Sequence, residues 1–205
     1  MTTIETPRAA LVKRAFQLEW LSVAWMTAEA GIAIAAGVSA HSLTLRAFGA
    51  DSIIELISAC VLLWRLSVEL HHGQRFSEDV ERRASRIGAA LLGALTLYVV
   101  ISAAWGLWTR QHQEFSAIGC VLAAAAIPVM YGLAKAKIRI ADAIGSRALR
   151  ADAVESVTCG YLSAVVLVGL VAQWLLRAWW VDSASALLLV PLLVREAREA
   201  WEVDD

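Results

Sequence analysis

The stretch SLTLRAFGADSIIELISACVLLW, residues 42–64, has the length of a membrane-spanning helix but contains two acids in its middle. About 20 apolar residues cross a bilayer as an α-helix, so the length fits one crossing. Asp51 and Glu55 are four residues apart, which places both carboxylates on one helix face, one turn apart. An ionised side chain in the bilayer core costs about 2.5–3.5 kcal/mol on insertion scales. The stretch therefore predicts a membrane helix whose acids have a partner, an aqueous cavity or a function.

The rest of the chain has the same membrane composition. Of its 205 residues, 59% are hydrophobic and 18% are charged, against about 45–50% and about 25% in soluble domains. We predict an all-α polytopic membrane protein with six transmembrane helices, a single transmembrane domain over residues 1–205 and no soluble domain. The composition argues against a water-soluble enzyme, and the formal charge of −1 gives no support for a nucleic-acid partner. The predicted spans are residues 16–38, 42–64, 87–108, 115–134, 152–176 and 178–194.

The distribution of Lys and Arg predicts how these spans are oriented. The two tails and the links after spans two and four hold fifteen of these residues, whereas the opposite side holds three. Cytoplasmic loops are enriched in Lys and Arg, so we expect both termini to lie in the cytoplasm. We expect an integral protein of the plasma membrane. Lys135, Lys137 and Arg139 are interpreted as topology determinants that face anionic lipid.

A second predicted span repeats the acidic pattern of the first. Residues 146–159, SRALRADAVESVTC, align with residues 42–55, and the alignment places Glu155 under Asp51 and Cys159 under Glu55. Two helices that each offer an i, i+4 pair of anionic or thiolate side chains can enclose one divalent cation. Four such donors suit a tetrahedral site.

Two features qualify this four-donor hypothesis. At about 1.5 Å per residue, Glu29 and Asp51 lie roughly 16–17 Å below the turn that joins their spans. The same count places Glu155 roughly 35 Å below the turn before the last span, near the cytoplasmic end. Because its depth matches that of Asp51, Glu29 is a candidate for an additional ligand or for a proton carrier beside the site.

Salt bridges between helices are the alternative explanation of these acids. Arg46, Arg147 and Arg150 lie near the span ends and could neutralise buried carboxylates without any ion. Asp182, which opens the sixth span, is interpreted as an outer cap of that span that can pair with Arg46. The three cysteines are expected to be free thiols, because their odd number within predicted spans does not form a disulfide framework.

The sequence resembles the cation diffusion facilitator superfamily of divalent-metal antiporters over all six predicted spans. It looks most like a short subgroup that has the membrane domain alone, akin to the transmembrane protein 163 group of vertebrates. The resemblance is clearest in AFGADSIIELISACVLLWRL (47–66), ADAVESVTCGYLSAVVLVGL (151–170) and WWVDSASALLLVPLLVREAREAW (179–201).

The resemblance implies a divalent metal efflux transporter that exchanges its cargo for protons by alternating access. It implies metal ligands at Asp51, Glu55, Glu155 and Cys159, with Cys159 where the family commonly has Asp. A thiolate beside carboxylates favours Zn²⁺, with Cd²⁺ or Co²⁺ as further candidates, over Mg²⁺ and Ca²⁺. No prosthetic group is expected, because the metal is the cargo.

The sequence supports three further hypotheses. A metal-responsive membrane interaction protein that binds an ion without transporting it is the alternative function. Small residues in span three, Ala89 with Gly93 among them, predict a homodimer that associates through transmembrane helices in the lipid bilayer. His71 and His72 resemble the family's secondary metal sites, or they are solvated loop residues.

Overall fold

A computed structural model describes residues 7–72, 78–110 and 113–202, and these residues form six α-helices without any strand. The predicted all-α fold is confirmed. The helices are α1 (Pro7–Ser39), α2 (Leu43–His72), α3 (Glu78–Thr109), α4 (Ala117–Ile144), α5 (Arg147–Leu176) and α6 (Val181–Glu202).

Five of the described helices, α1 to α5, contain stretches long and apolar enough to cross a membrane. The sixth helix is not among them. Five of its last eight residues are charged, which lowers the mean hydropathy of α6. The chain is thus a polytopic membrane protein, and the crossing by α6 remains a prediction.

The predicted spans match the helices at one end and are too short at the other. α1 ends at Ser39 and α5 ends at Leu176, within one residue of the predicted bounds. In contrast, α2 continues to His72 and α4 to Ile144, well beyond residues 64 and 134. Hydropathy marks where a helix leaves the bilayer, but its backbone can continue as a helix through charged residues.

The helices pack as two groups. One group comprises α1, α2, α4 and α5, with α1 against α2 and α4 against α5, and the other group is the pair of α3 and α6. Contacts of α2 with α3 and α6, and of α5 with α6, join the groups. The main core contains Phe48, Met130, Cys159 and Leu189, so apolar residues from both groups share it.

The links between α1 and α2, α3 and α4, and α5 and α6 meet at one end of the bundle, which we call the link end. The Glu114 amide donates a hydrogen bond to the Ala40 carbonyl at 2.8 Å, and the Gln173 side-chain amide donates to the Gln113 carbonyl at 3.4 Å. At the opposite end, Arg8 donates to the carbonyl of Ile144 at 3.0 Å. The N-terminal helix therefore begins at the end opposite the link end, beside the link between α4 and α5.

Asp182 caps α2 from across the bundle, so the interpretation of this residue as a cap of its own helix was wrong. Its carboxylate accepts hydrogen bonds from Ser42 Oγ at 2.5 Å and from the Leu43 and Thr44 amides at 2.7 and 3.4 Å. The expected partner Arg46 instead donates from Nε to the Ser42 carbonyl at 3.2 Å. The first amides of a helix have no partner within it, so a buried carboxylate there satisfies them and complements the helix dipole.

Candidate metal centre

Three buried acids from two helices meet in the interior of the bundle. Asp51 and Glu55 of α2 and Glu196 of α6 offer oxygens that lie within 4.8 Å of one another. Their relative exposures are 1%, 6% and 8%. In a tetrahedral site with bonds of about 2.0–2.2 Å, two ligand oxygens lie roughly 3.3–3.6 Å apart, so the three side chains would move closer together around one ion. We call these residues the acid group.

The acid group lacks partners for its charge. Within the part of the chain that the structure describes, none of its six carboxylate oxygens has a hydrogen-bond partner. A buried carboxylate that is neither paired nor hydrogen-bonded is strongly unfavourable, and three in contact repel one another as well. The arrangement therefore requires protons or a cation between the acids.

The local helix geometry explains why these three side chains converge. Asp51 and Glu55 share a face because they are one turn apart, as the sequence predicts. Glu196 follows the buried residues Leu189 and Leu193 of α6 at intervals of four and three residues, so it continues the same buried face.

Sequence reasoning missed Glu196. The predicted last span stops at residue 194, and the charged residues that follow were assigned to the cytoplasmic tail. The available signal was the helical period of the buried face, which continues two residues past the end of the predicted span.

Glu29 lies beside the acid group with its oxygens already in use. Trp25 Nε1 donates to Oε2 at 2.6 Å, and Ser52 Oγ and Cys159 Sγ are 2.8 and 3.7 Å from Oε1. Glu29 is fully buried, and its partners come from its own helix, α2 and α5. A carboxylate with three donors has less need of a metal than the orphaned oxygens of the acid group.

Cys159 and Glu155 adjoin the acid group without joining it. The buried Cys159 thiol contacts Glu29 as a hydrogen-bond donor, whereas metal binding requires a thiolate. Glu155 is partly exposed, and it lies near enough to Asp51 and Glu196 for their charges to interact. The depth count from the sequence had placed Glu155 apart from Asp51, and the structure leaves it outside the group.

The match to known sequences covers this whole arrangement. A family profile described as the cation efflux transmembrane domain matches residues 20–202, which include α2, α5 and the acid group. The chain belongs to the cation efflux family. Members of this family transport divalent metal cations, whose charge is opposite to that of a cluster of buried acids.

The salt-bridge alternative does not explain the acid group of this cation efflux protein. Arg150 pairs with Asp142 at 2.5 Å on the surface, and Arg46 contacts a carbonyl. The side chains of Arg147, His71 and His72 lie outside the described residues, so the second predicted metal site stays a prediction.

A second buried cluster, which we call the lysine cluster, does consist of salt bridges. Lys137 Nζ of α4 lies 2.5 Å from Asp152 of α5 and 3.2 Å from Glu19 of α1. Lys137 and Glu19 are fully buried, and Asp152 is 8% exposed. The interpretation of Lys137 as a lipid-facing topology determinant was therefore wrong, because neighbouring acids on two helices hold its ammonium group inside the protein.

Proposed function

We propose that this cation efflux protein exports Zn²⁺ in exchange for protons and that the acid group binds the ion. The observation that supports this proposal most is the set of six orphaned oxygens on Asp51, Glu55 and Glu196. A bound divalent cation offsets most of their charge, and protons offset it when the cation leaves. The two occupants therefore exclude each other, which is the physical basis of exchange.

Cys159 supports zinc as the cargo. Its thiol adjoins Glu29 and lies near the charges of Asp51 and Glu55, so a fourth and softer donor is available beside three oxygens. When the ion binds, the thiol proton can pass to Glu29 Oε1, and the resulting thiolate can complete a tetrahedral shell. Glu29 then acts as a proton carrier, which is the second of the two roles expected for it.

The position of the acid group between the helix groups supports alternating access. Asp51 and Glu55 belong to the four-helix group, whereas Glu196 belongs to the pair of α3 and α6. A bound cation therefore links the two groups, whereas protons on the separate acids do not, so exchange of the ion for protons weakens this link. At the link end, the bonds from Asp182 to the start of α2 hold the same two helices together. Release of the ion on that side requires these bonds to part.

Reconstitution into liposomes tests transport against the alternative of a metal-responsive protein that only binds. We expect purified protein to move Zn²⁺ against an imposed proton gradient, with simultaneous Zn²⁺ and pH changes reported by trapped dyes. Asp51→Asn should abolish both signals. Zn²⁺ binding by the parent protein without any flux would reject the transport proposal and favour the alternative.

Orientation and assembly need their own measurements. Cysteines introduced at Glu78 and Ser146 should react only from the cytoplasm, because the Lys and Arg residues place those links there. Labelling of either cysteine from outside intact cells would overturn this topology. The proposed homodimer predicts a purified mass of two chains and its loss when Gly93 is replaced by a large residue such as Leu.

A further inference from the structure

A cavity of about 280 Å³ lies at the link end between α2, α3 and α6. The residues that line this cavity include no Asp or Glu, so the cavity is distinct from the acid group. Its polar lining consists of hydrogen-bond donors or residues that can act as donors. They include His41, Arg46, Tyr98, Ser102, Gln113 and Ser183.

Arg46 gives the cavity a fixed positive charge. Its Nε donates to the Ser42 carbonyl at 3.2 Å, and no carboxylate in the described ranges lies within salt-bridge distance of its guanidinium. The dipole of α2 is already complemented by Asp182, so the positive charge that an anion would neutralise is that of the Arg46 guanidinium itself.

The cavity borders the surface that faces lipid. Its α3 wall includes Tyr98, Ile101 and Trp105, which are 46%, 60% and 63% exposed. Trp105 lies four residues before the end of α3, and tryptophans are enriched at the level of lipid headgroups, whereas Tyr98 lies near the middle of the span. A molecule that enters beside Trp105 would therefore come from the headgroup region of the leaflet at the link end.

We propose that this cavity binds a phosphate-bearing anion, presented as the headgroup of an anionic phospholipid. A phosphate offers several acceptor oxygens, and a guanidinium with neighbouring hydroxyl and amide donors matches that chemistry. Free inorganic phosphate has the same chemistry, but it lacks the acyl chains that would cover the exposed apolar wall of α3. The bound lipid contacts both helix groups and stabilises the closed arrangement of the link end.

Lipid titration of the purified protein in detergent tests this site. The probes are short-chain phosphatidylglycerol, the matching diacylglycerol without phosphate, and inorganic phosphate, with bound molecules counted by native mass spectrometry. Arg46→Gln should weaken phosphatidylglycerol binding about tenfold or more, because one charge-assisted contact is lost. Arg177→Gln is the matched control, since Arg177 is an exposed arginine at the same end that does not line the cavity.

A second variant addresses the same cavity without removing charge. Ser102→Phe should fill the space and weaken binding while Arg46 stays in place. Binding that is unchanged in both variants, or weakened equally by Arg177→Gln, would overturn the proposal, as would equal binding of diacylglycerol. Arg46-dependent binding of inorganic phosphate without binding of the lipid would establish the phosphate site and reject its lipid source.

Discussion

The acid group and the lysine cluster are both buried sets of three ionisable residues, yet only the lysine cluster contains a cationic side chain. In the lysine cluster, the ammonium of Lys137 lies between Glu19 and Asp152. In the acid group, Asp51, Glu55 and Glu196 meet with every oxygen orphaned. Fully ionised, the first set has a net charge of −1 and the second has −3.

This difference separates a structural network from a binding site. A buried acid satisfied by a resident lysine needs no ion, so burial alone does not identify a transport site. The lysine cluster also joins α1, α4 and α5, which belong to one helix group, whereas the acid group joins α2 to α6 across the two groups. The first cluster stabilises a unit, and the second lies where an ion can control the contact between units.

The largest expected effect is on the lysine cluster. Lys137→Met should destabilise the protein by about 3–5 kcal/mol, because it leaves two buried acids without their counter-ion. The measurement is thermal unfolding in detergent. Lys135→Met is the matched control, since Lys135 is exposed on the same helix. Equal stability of the two variants would contradict a structural role for the lysine cluster.

Replacing a residue of the acid group should stabilise the metal-free protein, whereas replacing Lys137 should destabilise it. Asp51→Asn should raise the unfolding temperature of metal-free protein, because the amide neither repels Glu55 and Glu196 nor needs a proton to be buried beside them. It should also abolish the stabilisation that added Zn²⁺ gives the parent. A metal-free variant less stable than the parent would show that Asp51 has a structural partner like the acids of the lysine cluster.

Glu155 should give an intermediate result. It lies outside the acid group, so Glu155→Gln should weaken Zn²⁺ transport less than Asp51→Asn does. Initial flux rates in proteoliposomes compare the two variants. Complete loss of transport in Glu155→Gln would place this residue among the ligands, as the resemblance to the family implies.

The smallest expected effect is a change of metal preference at Cys159. Cys159→Ser should weaken transport of Cd²⁺ and Zn²⁺ more than that of the harder Mn²⁺, because a soft donor is lost. Competition between the metals in the flux assay measures this ratio. An unchanged ratio of Cd²⁺ to Mn²⁺ would remove Cys159 from the transport site.

Local patterns allowed part of this arrangement to be predicted from sequence. Asp51 and Glu55 were found because their shared face depends only on the period of one helix. The all-α fold was found because membrane helices need long apolar runs, and it is confirmed. The bounds at the link end were accurate because the helices stop there where their apolar runs stop, whereas at the other end the helices continue through charged residues.

The remainder depends on contacts between distant helices. Glu196 lies in a sequence rich in charge, and only the packing of α6 against other helices makes it buried. Lys137 lies among other basic residues, so nothing local distinguishes it from the exposed Lys135. Its partner Glu19 is 118 residues away in the chain. Such pairings follow from the tertiary fold.

Zn²⁺ binding by two glutamate variants of α6 shows whether the acid group holds the metal. Glu196 belongs to the acid group, whereas Glu199, three residues later, is exposed and pairs with Arg195 at 2.6 Å. In isothermal titration calorimetry, Glu196→Gln should bind Zn²⁺ at least about tenfold more weakly than the parent, since a ligand is lost. Glu199→Gln should bind it as the parent does. Equal Zn²⁺ affinities of the parent and Glu196→Gln would contradict the assignment of the acid group as the metal site.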